Sequence, residues 1–360
     1  MVTPRATYQK DTEDAIPEDD RARRRPSAVA RWLRTRAAWV FLLNVALIVL
    51  FSAITEDHVF WSVANLRALL IALSEGLLLA LALSMLLGAG IFDLSLGANL
   101  VLSSVMGAKV IQLFQSSPGD ATAYSDPAIA IAAGLAVCVA TGAIFGLING
   151  LLIAVAEVNS LIATLATLGI ATGAGYLVTG GSDIASMPQV MQSSIGLNAI
   201  GGVVPLPAII ALLVLAILWV IVRYTRYGLR IQAIGSSRTA AERAGIRVRA
   251  YMISLTVLAG VMASLAGFID LAKFSSTSLS GHGSDALNAV TAAVIGGTLL
   301  EGGSIAIIGT LWGAALAVIL QAGLVLSGVS SFWQLIAVGV VLLLAVVLDR
   351  VAMKRRERAR

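Results

Sequence analysis

Of 360 residues, 58% are hydrophobic and only 12% are charged, whereas an ordinary soluble domain is about 45–50% apolar and about 25% charged; much of this surface must therefore face lipid. The formal net charge is +5, yet 22 of the 25 Lys and Arg lie in three stretches, 1–36, 223–249 and 350–360, a clustering that belongs to loops on one side of a membrane and excludes a nucleic-acid surface. One cysteine, Cys138, rules out an intramolecular disulfide, and the two histidines, His58 and His282, sit in no metal-ligand spacing.

Residues 1–36 hold an acidic run (11–20), then RARRR (21–25), with no apolar core before Ala37. They read as a disordered cytosolic tail and not as a cleaved signal peptide. The stretch 28–36 (AVARWLRTR) can lie on an anionic leaflet with Trp32 at the interface. A spanning helix takes about 20 apolar residues. On that scale the predicted spans begin at 37–54, followed by a short amphipathic piece at 59–68. A run at 69–114 is broken by GAGIFDLSLG (88–97). Next come 127–155, 160–178, 207–222 and 250–271. A run at 287–324 is broken by GGTLLEGGS (296–304), and the last span is 331–348. Splitting the two broken runs predicts about ten crossings. The expected fold class is all-α, a polytopic transmembrane helical bundle over 37–349 with a Gly-rich interruption in each half, closed by a basic tail at 350–360.

The loop 223–249 carries seven arginines, while 115–126 and 179–206 contain no Lys or Arg. An even number of crossings places both termini and the arginine loop on one side, which the positive-inside rule makes cytosolic. Within that loop Ser237 suits an N-cap, Arg238 to Ala244 a short helix, and Gly245 its stop. Ala240, Ala241 and Ala244 give that helix a small-residue face able to dock in a groove, and Arg238 can pair with Glu242 one turn on. The plainer alternative is an ordinary positive-inside loop.

No catalytic residues are expected. The chain has no G-x-S-x-G, no H-E-x-x-H and no Gly-Lys dipeptide, which excludes a Walker A loop. It therefore carries no cofactor, and any ATP hydrolysis belongs to a partner. The polar residues within apolar runs remain. Asp93 and Glu301 sit in the two Gly-rich interruptions, either at a transport path or in tight turns between helices. Glu75 suits a substrate path or a hydrogen bond to a neighbouring helix. Asp270 and Lys273 read as a local ion pair. Ser160, Thr164 and Thr167 share one helical face, where bonding to the preceding turn is the favoured role.

Four motifs in order resemble the ribose-type permease family of bacterial ABC importers. They are IFDLSLGANLVLSS (91–104), INGLLIAVAEVNSLIATLATL (148–168), TRYGLRIQAIGSSRTAAERAGI (225–246), and AVTAAVIGGTLLEGGSIAIIGTLWGA (289–314) with VSSFWQLIAVGVVLLLAVVLD (329–349). The chain departs from the family's pattern at Ile91-Phe92, where a second Gly often stands, and at Asn159-Ser160, where a Pro pair often stands. The resemblance implies a multi-pass permease subunit of a bacterial inner membrane, surrounded by lipid and binding no nucleic acid. Its implied partners are an ABC ATPase subunit or tandem ATPase that holds ATP and Mg, a second permease copy (usually identical), and a periplasmic or lipid-anchored sugar-binding protein. It makes Arg238, Thr239, Ala240, Ala241, Glu242, Arg243, Ala244, Gly245 and Ile246 the coupling segment. Candidates for the translocation path are Glu75, Asp93, Ser95, Asn149, Ser160, Thr164, Thr167 and Glu301. Alternatives are the same fold importing a nucleoside, polyol or branched-chain amino acid, or a secondary transporter coupled to ions through Glu75, Asp93 and Glu301.

Overall fold

The computed structural model describes residues 36–330 except Pro118, and six isolated positions between 332 and 343. The N-terminal tail, most of the apolar run 331–348 and the basic tail 350–360 lie outside the described residues. Among the described residues are eleven α-helices of six residues or more: α1 (Arg36–Ile54), α2 (Val63–Gly88), α3 (Leu96–Gln112), α4 (Pro127–Ala154), α5 (Ser160–Thr179), α6 (Leu206–Tyr224), α7 (Arg226–Ser236), α8 (Arg238–Arg243), α9 (Val248–Phe274), α10 (Asp285–Ile295) and α11 (Ile307–Leu326). A 3-10 turn (Glu56–Trp61) joins α1 to α2, so the predicted amphipathic piece divides between that turn and the start of α2. Strand is confined to the pair Ala199–Ile200 and Val204–Pro205 among the described residues.

Seven of these helices are long and apolar enough to cross a membrane: α1, α2, α4, α5, α6, α9 and α11. The α3 and α10 helices are apolar but shorter, and α10, with 11 residues, rises only about 16 Å, roughly half of a hydrocarbon core. The α3 helix is the second half of the first interrupted run, and α10 is the first half of the second, with α11 following its break. The chain leaves α2 at Gly88, turns through Gly90 (φ +73°) and enters α3; it leaves α9 through Ser275 (φ +54°) and enters α10 after a loop at 276–284. That loop folds back onto the first turn of α3, where a Cβ on Gly97 would lie 2.6 Å from the His282 carbonyl oxygen.

Helix ends follow local chemistry. The Asp126 carboxylate accepts from the backbone N–H of Ala128 and Ile129 at 3.1 Å each, and Pro127 occupies the first position of α4, where its missing N–H costs nothing. Ser62 caps α2 by accepting from Asn65 N at 3.1 Å.

Helix association in lipid rests on close packing, since lipid tails are as apolar as leucine. The centre of this bundle shows that logic. Gly142, Gly146 and Gly150 recur every four residues on α4 and face Gly260, Thr256 and Ile253 on α9. A Cβ on Gly146 would lie 2.8 Å from the Thr256 carbonyl carbon and 2.9 Å from Val257 Cα, so the two backbones touch there. The second half of α2, from Leu77 to Gly88, is buried throughout.

Candidate translocation and coupling sites

The first interruption is held by a polar clamp. Asp93 Oδ1 accepts from Ser95 N at 2.8 Å and Ser95 Oγ at 2.6 Å. From α4, Asn149 Nδ2 donates to Ser95 Oγ at 2.9 Å and to Asp93 Oδ2 at 3.4 Å, while its buried Oδ1 has no partner among the described residues. From α5, Ser160 Oγ accepts from Phe92 N at 3.2 Å, and Thr164 Oγ1 accepts from Leu94 N at 3.3 Å. Thr164 also donates back to the Ser160 carbonyl at 2.8 Å, and Thr167 donates to that of Thr164 at 3.3 Å. Backbone outside a helix at membrane depth needs side-chain partners for its N–H groups, and these hydroxyls supply them. Where the family often has a Pro pair, Asn159 caps α5 through Leu161 N at 3.0 Å and Ser160 grips the turn.

Five of the predicted path residues, Asp93, Ser95, Asn149, Ser160 and Thr164, therefore meet in one place. All but half-buried Ser160 are at most 2% exposed. Apart from Asn149 Oδ1, their polar atoms bond the turn or the helix that carries them, with Thr167 bonded back to Thr164 beside them, so the arrangement is a joint that holds the turn.

Glu75 lies in different surroundings. Lys273 Nζ, from the far end of α9, pairs with Glu75 Oε1 at 3.4 Å. Asp270 Oδ2 is 3.3 Å from His282 Nε2, and His282 Nδ1 is 2.7 Å from Asp285 Oδ2. This corrects the expected local pair: Asp270 and Lys273 reach to different neighbours, because the loop at 276–284 carries His282 back to Asp270 and α2 offers Glu75 to Lys273. Beside this network opens a cleft of about 240 Å³ lined by Glu75, Asp285, Asn288 and Gln321 among small side chains of α2, α10 and α11. A second cleft of about 590 Å³ adjoins it, sharing Ala72, Val318 and Gln321 and reaching Lys273, Asn65 and Arg67. Sequence reading missed His282, Asp285, Asn288 and Gln321. The available signal was polar residues recurring inside apolar runs.

The arginine-rich end is built differently. The Gly-rich turn at 296–306 docks against α7: a Cβ on Gly302 (φ +91°) would lie 2.7 Å from the Gly235 carbonyl oxygen, and Gly303 N donates to Gly88 O at 3.0 Å. The two Gly-rich interruptions are thus neighbours. This backbone-to-backbone seat leaves Glu301 exposed at the tip of its turn. Glu301 thus stands apart from the buried cluster around Asp93.

On the same face, α8 is a capped single turn and a half. Ser237 Oγ accepts from Ala240 N at 3.3 Å, Arg238 pairs with Glu242 at 3.3 Å, and Gly245 takes φ +78° to end it. Thr239, Ala240, Glu242, Arg243 and Ala244 are exposed, and Ile246 is half-buried. Ala241 corrects the expected docking face: it is 4% exposed and packs into the bundle. Arg230 Nη1 donates to Tyr251 Oη at 2.5 Å, tying α7 to α9. Tyr227 Oη and Ser254 Oγ, 2.8 Å apart, add a second tie. Burial pushes the Tyr227 phenol above its ordinary pKa. A short, rigidly held helix with a free outer face is suited to transmit force to a docked partner.

Residues 65–346 match the family described as branched-chain amino acid transport system / permease component. Among curated proteins the chain is 32% identical over 320 residues to the ribose import permease protein RbsC of Escherichia coli K12, covering 88% of this chain and 94% of that one. It is 36% identical over 277 residues to RbsC of Bacillus subtilis, covering 76% and 80%. It is 30% identical over 331 residues to the galactose/methyl galactoside import permease protein MglC of E. coli K12, covering 91% and 97%. No solved structure matches. With the family model spanning most of the bundle and the curated relatives covered along most of their length, the chain belongs to the ABC-importer permease family, in its ribose-type group, as a multi-pass protein of the inner membrane.

Proposed function

We propose that this chain is the permease subunit of an ATP-driven sugar importer, with both termini and the loop 223–249 in the cytosol. The observation that carries the reading is the exposed, capped α8 on a face that concentrates seven arginines. Family membership and the sugar permeases named above support the same reading. In it, Arg238–Ile246 seats in a groove of a separate ATPase that holds ATP and Mg. A second copy of the chain completes the path, and a periplasmic or lipid-anchored binding protein delivers a monosaccharide from the opposite side. The permease needs only a weak wet route whose two states differ in their contacts with the motor.

The test is gentle solubilisation of the tagged chain and identification of what accompanies it. Recovery of an ATPase bearing a Walker A loop, lost when 238–243 becomes a Gly/Ser linker, supports the reading. A chain that emerges alone and moves solute in proteoliposomes under an ion gradient refutes it.

A further inference from the structure

A pathway needs several free groups that touch solute, which the buried Asp93 clamp, with Asn149 Oδ1 its one unpartnered polar atom among the described residues, does not offer. The cleft beside Glu75 does. Only Oε1 of Glu75 is engaged, by Lys273, and only Oδ2 of Asp285, by His282. The Gln321 amide makes no hydrogen bond to any described residue, and Asn288 makes one at the 3.5 Å limit, to Ser284. Two carboxylate oxygens and two amides thus converge from three helices on one space. The rest of the lining is apolar and mostly small, alanines and Gly76 with Leu79 and Val318, and a Cβ on Gly76 would meet nothing within 4 Å.

Such a lining is out of place against lipid, because an acid at the bilayer centre costs about 2.5–3.5 kcal/mol even on the mildest scale. Polar groups left unpaired at that depth belong to a water-filled cavity. The chemistry also narrows the solute. Carboxylate oxygens accept from hydroxyls, while primary amides both donate and accept, a combination suited to adjacent hydroxyl groups. An anionic solute is disfavoured: the lining carries two carboxylates, and the basic side chains beside it, Lys273 and His282, are already paired with Glu75 and Asp285. The N-terminus of α10, an electropositive helix end that could receive an anion, is occupied by Asp285 itself. At about 240 Å³ the space lies below the about 300–1,000 Å³ of drug-sized pockets, so the solute is small.

We propose that this cleft is a low-affinity subsite for a small, neutral, polyhydroxylated solute, with Glu75, Asp285, Asn288 and Gln321 as its hydrogen-bonding groups. Lys273 and His282 act as positioning residues that hold the two carboxylates toward the cleft. The adjoining larger cleft past Arg67 and Asn65 is its approach. The inference rests on the importer reading for the solute's passage, but its test does not require the ATPase.

Single cysteines replace Gln321 or Asn288 in a full-length Cys138→Ala chain, with Leu213→Cys, exposed on α6, as the lipid-facing control. Membrane vesicles are treated with a charged thiosulfonate reagent. Gln321→Cys and Asn288→Cys are expected to react at least about tenfold faster than the control, as water-filled positions do. D-ribose or D-galactose should slow that reaction in a saturable way, about tenfold at ten times the dissociation constant, whereas leucine should not. Reaction as slow as the Leu213→Cys control would show the cleft to be dry and overturn the proposal. Rates unaffected by either sugar, or slowed equally by leucine, would overturn the solute class. Failure of the importer reading shows separately, as absence of an ATPase with the labelling pattern intact.

Discussion

Adding one methyl group at Gly146 should loosen the centre of the bundle. The new Cβ would sit 2.8 Å from the Thr256 carbonyl carbon and 2.9 Å from Val257 Cα. Carbon atoms settle at about 3.5–4.0 Å, and both neighbours are backbone, so neither can rotate away. The α4 and α9 helices must therefore part by roughly 1 Å. A gap of about 0.5–1 Å forfeits a quarter to a half of each contact's dispersion energy, and overpacking of this kind costs about 1–3 kcal/mol. The displacement also reaches the clamp, because Asn149 lies one turn further along α4. Gly169 and Gly173 on α5 provide the control: a Cβ at either meets nothing within 4 Å, and alanine there gains helix propensity of about 1 kcal/mol. Thermal unfolding of the purified chain in mild detergent, followed by size-exclusion fluorescence, compares them. Gly146→Ala should melt several degrees lower, and Gly173→Ala should melt no lower than the parent. The double variant Gly146→Ala/Gly260→Ala should lose less than the sum of its parts, since the first methyl already separates the helices that the second would push. Equal melting of Gly146→Ala and Gly173→Ala would refute close backbone packing as what joins α4 to α9.

Asn149→Ala should remove the donor to Asp93 Oδ2 and Ser95 Oγ and cost about 1–3 kcal/mol, seen as faster proteolysis at the 89–95 turn; unchanged cleavage would show that α5 holds the turn alone. Lys273→Met should strand Glu75 and cost about 2–3 kcal/mol, with much of the loss recovered in Glu75→Gln/Lys273→Met; a melting-temperature cycle with no coupling would show that the 3.4 Å pair is incidental. Ser237→Ala should cost about 1 kcal/mol of α8 stability, lowering ATPase recovery in pull-downs while leaving the bundle's melting unchanged; a fall in melting with recovery intact would mean that α8 serves the bundle and not a partner.

Hydropathy alone placed the seven helices long enough to cross, because the need for about 20 apolar residues is a property of the bilayer and is read directly along the chain. Predicted 127–155 and 160–178 became Pro127–Ala154 and Ser160–Thr179. The Ser237 cap, the short α8 and the stop at Gly245 were equally legible, since caps and left-handed glycines act within a few residues. So were the two Gly-rich interruptions. What these residues do was decided by the tertiary structure. Lys273 pairs with Glu75, 198 positions away, because α2 and α9 pack at one register; nothing local distinguishes that from a pair with Asp270. Ser160 and Thr164 share a face, as their spacing requires, but only the seat of the 89–95 turn against that face turns their hydroxyls into backbone partners. Glu301 and Asp93 sit in matching contexts along the sequence, yet one is exposed and the other buried, because docking of Gly302 on Gly235 points the first outward. Local backbone and solvation rules act over a turn or two and survive in the sequence, whereas a pairing depends on where two distant helices come to rest.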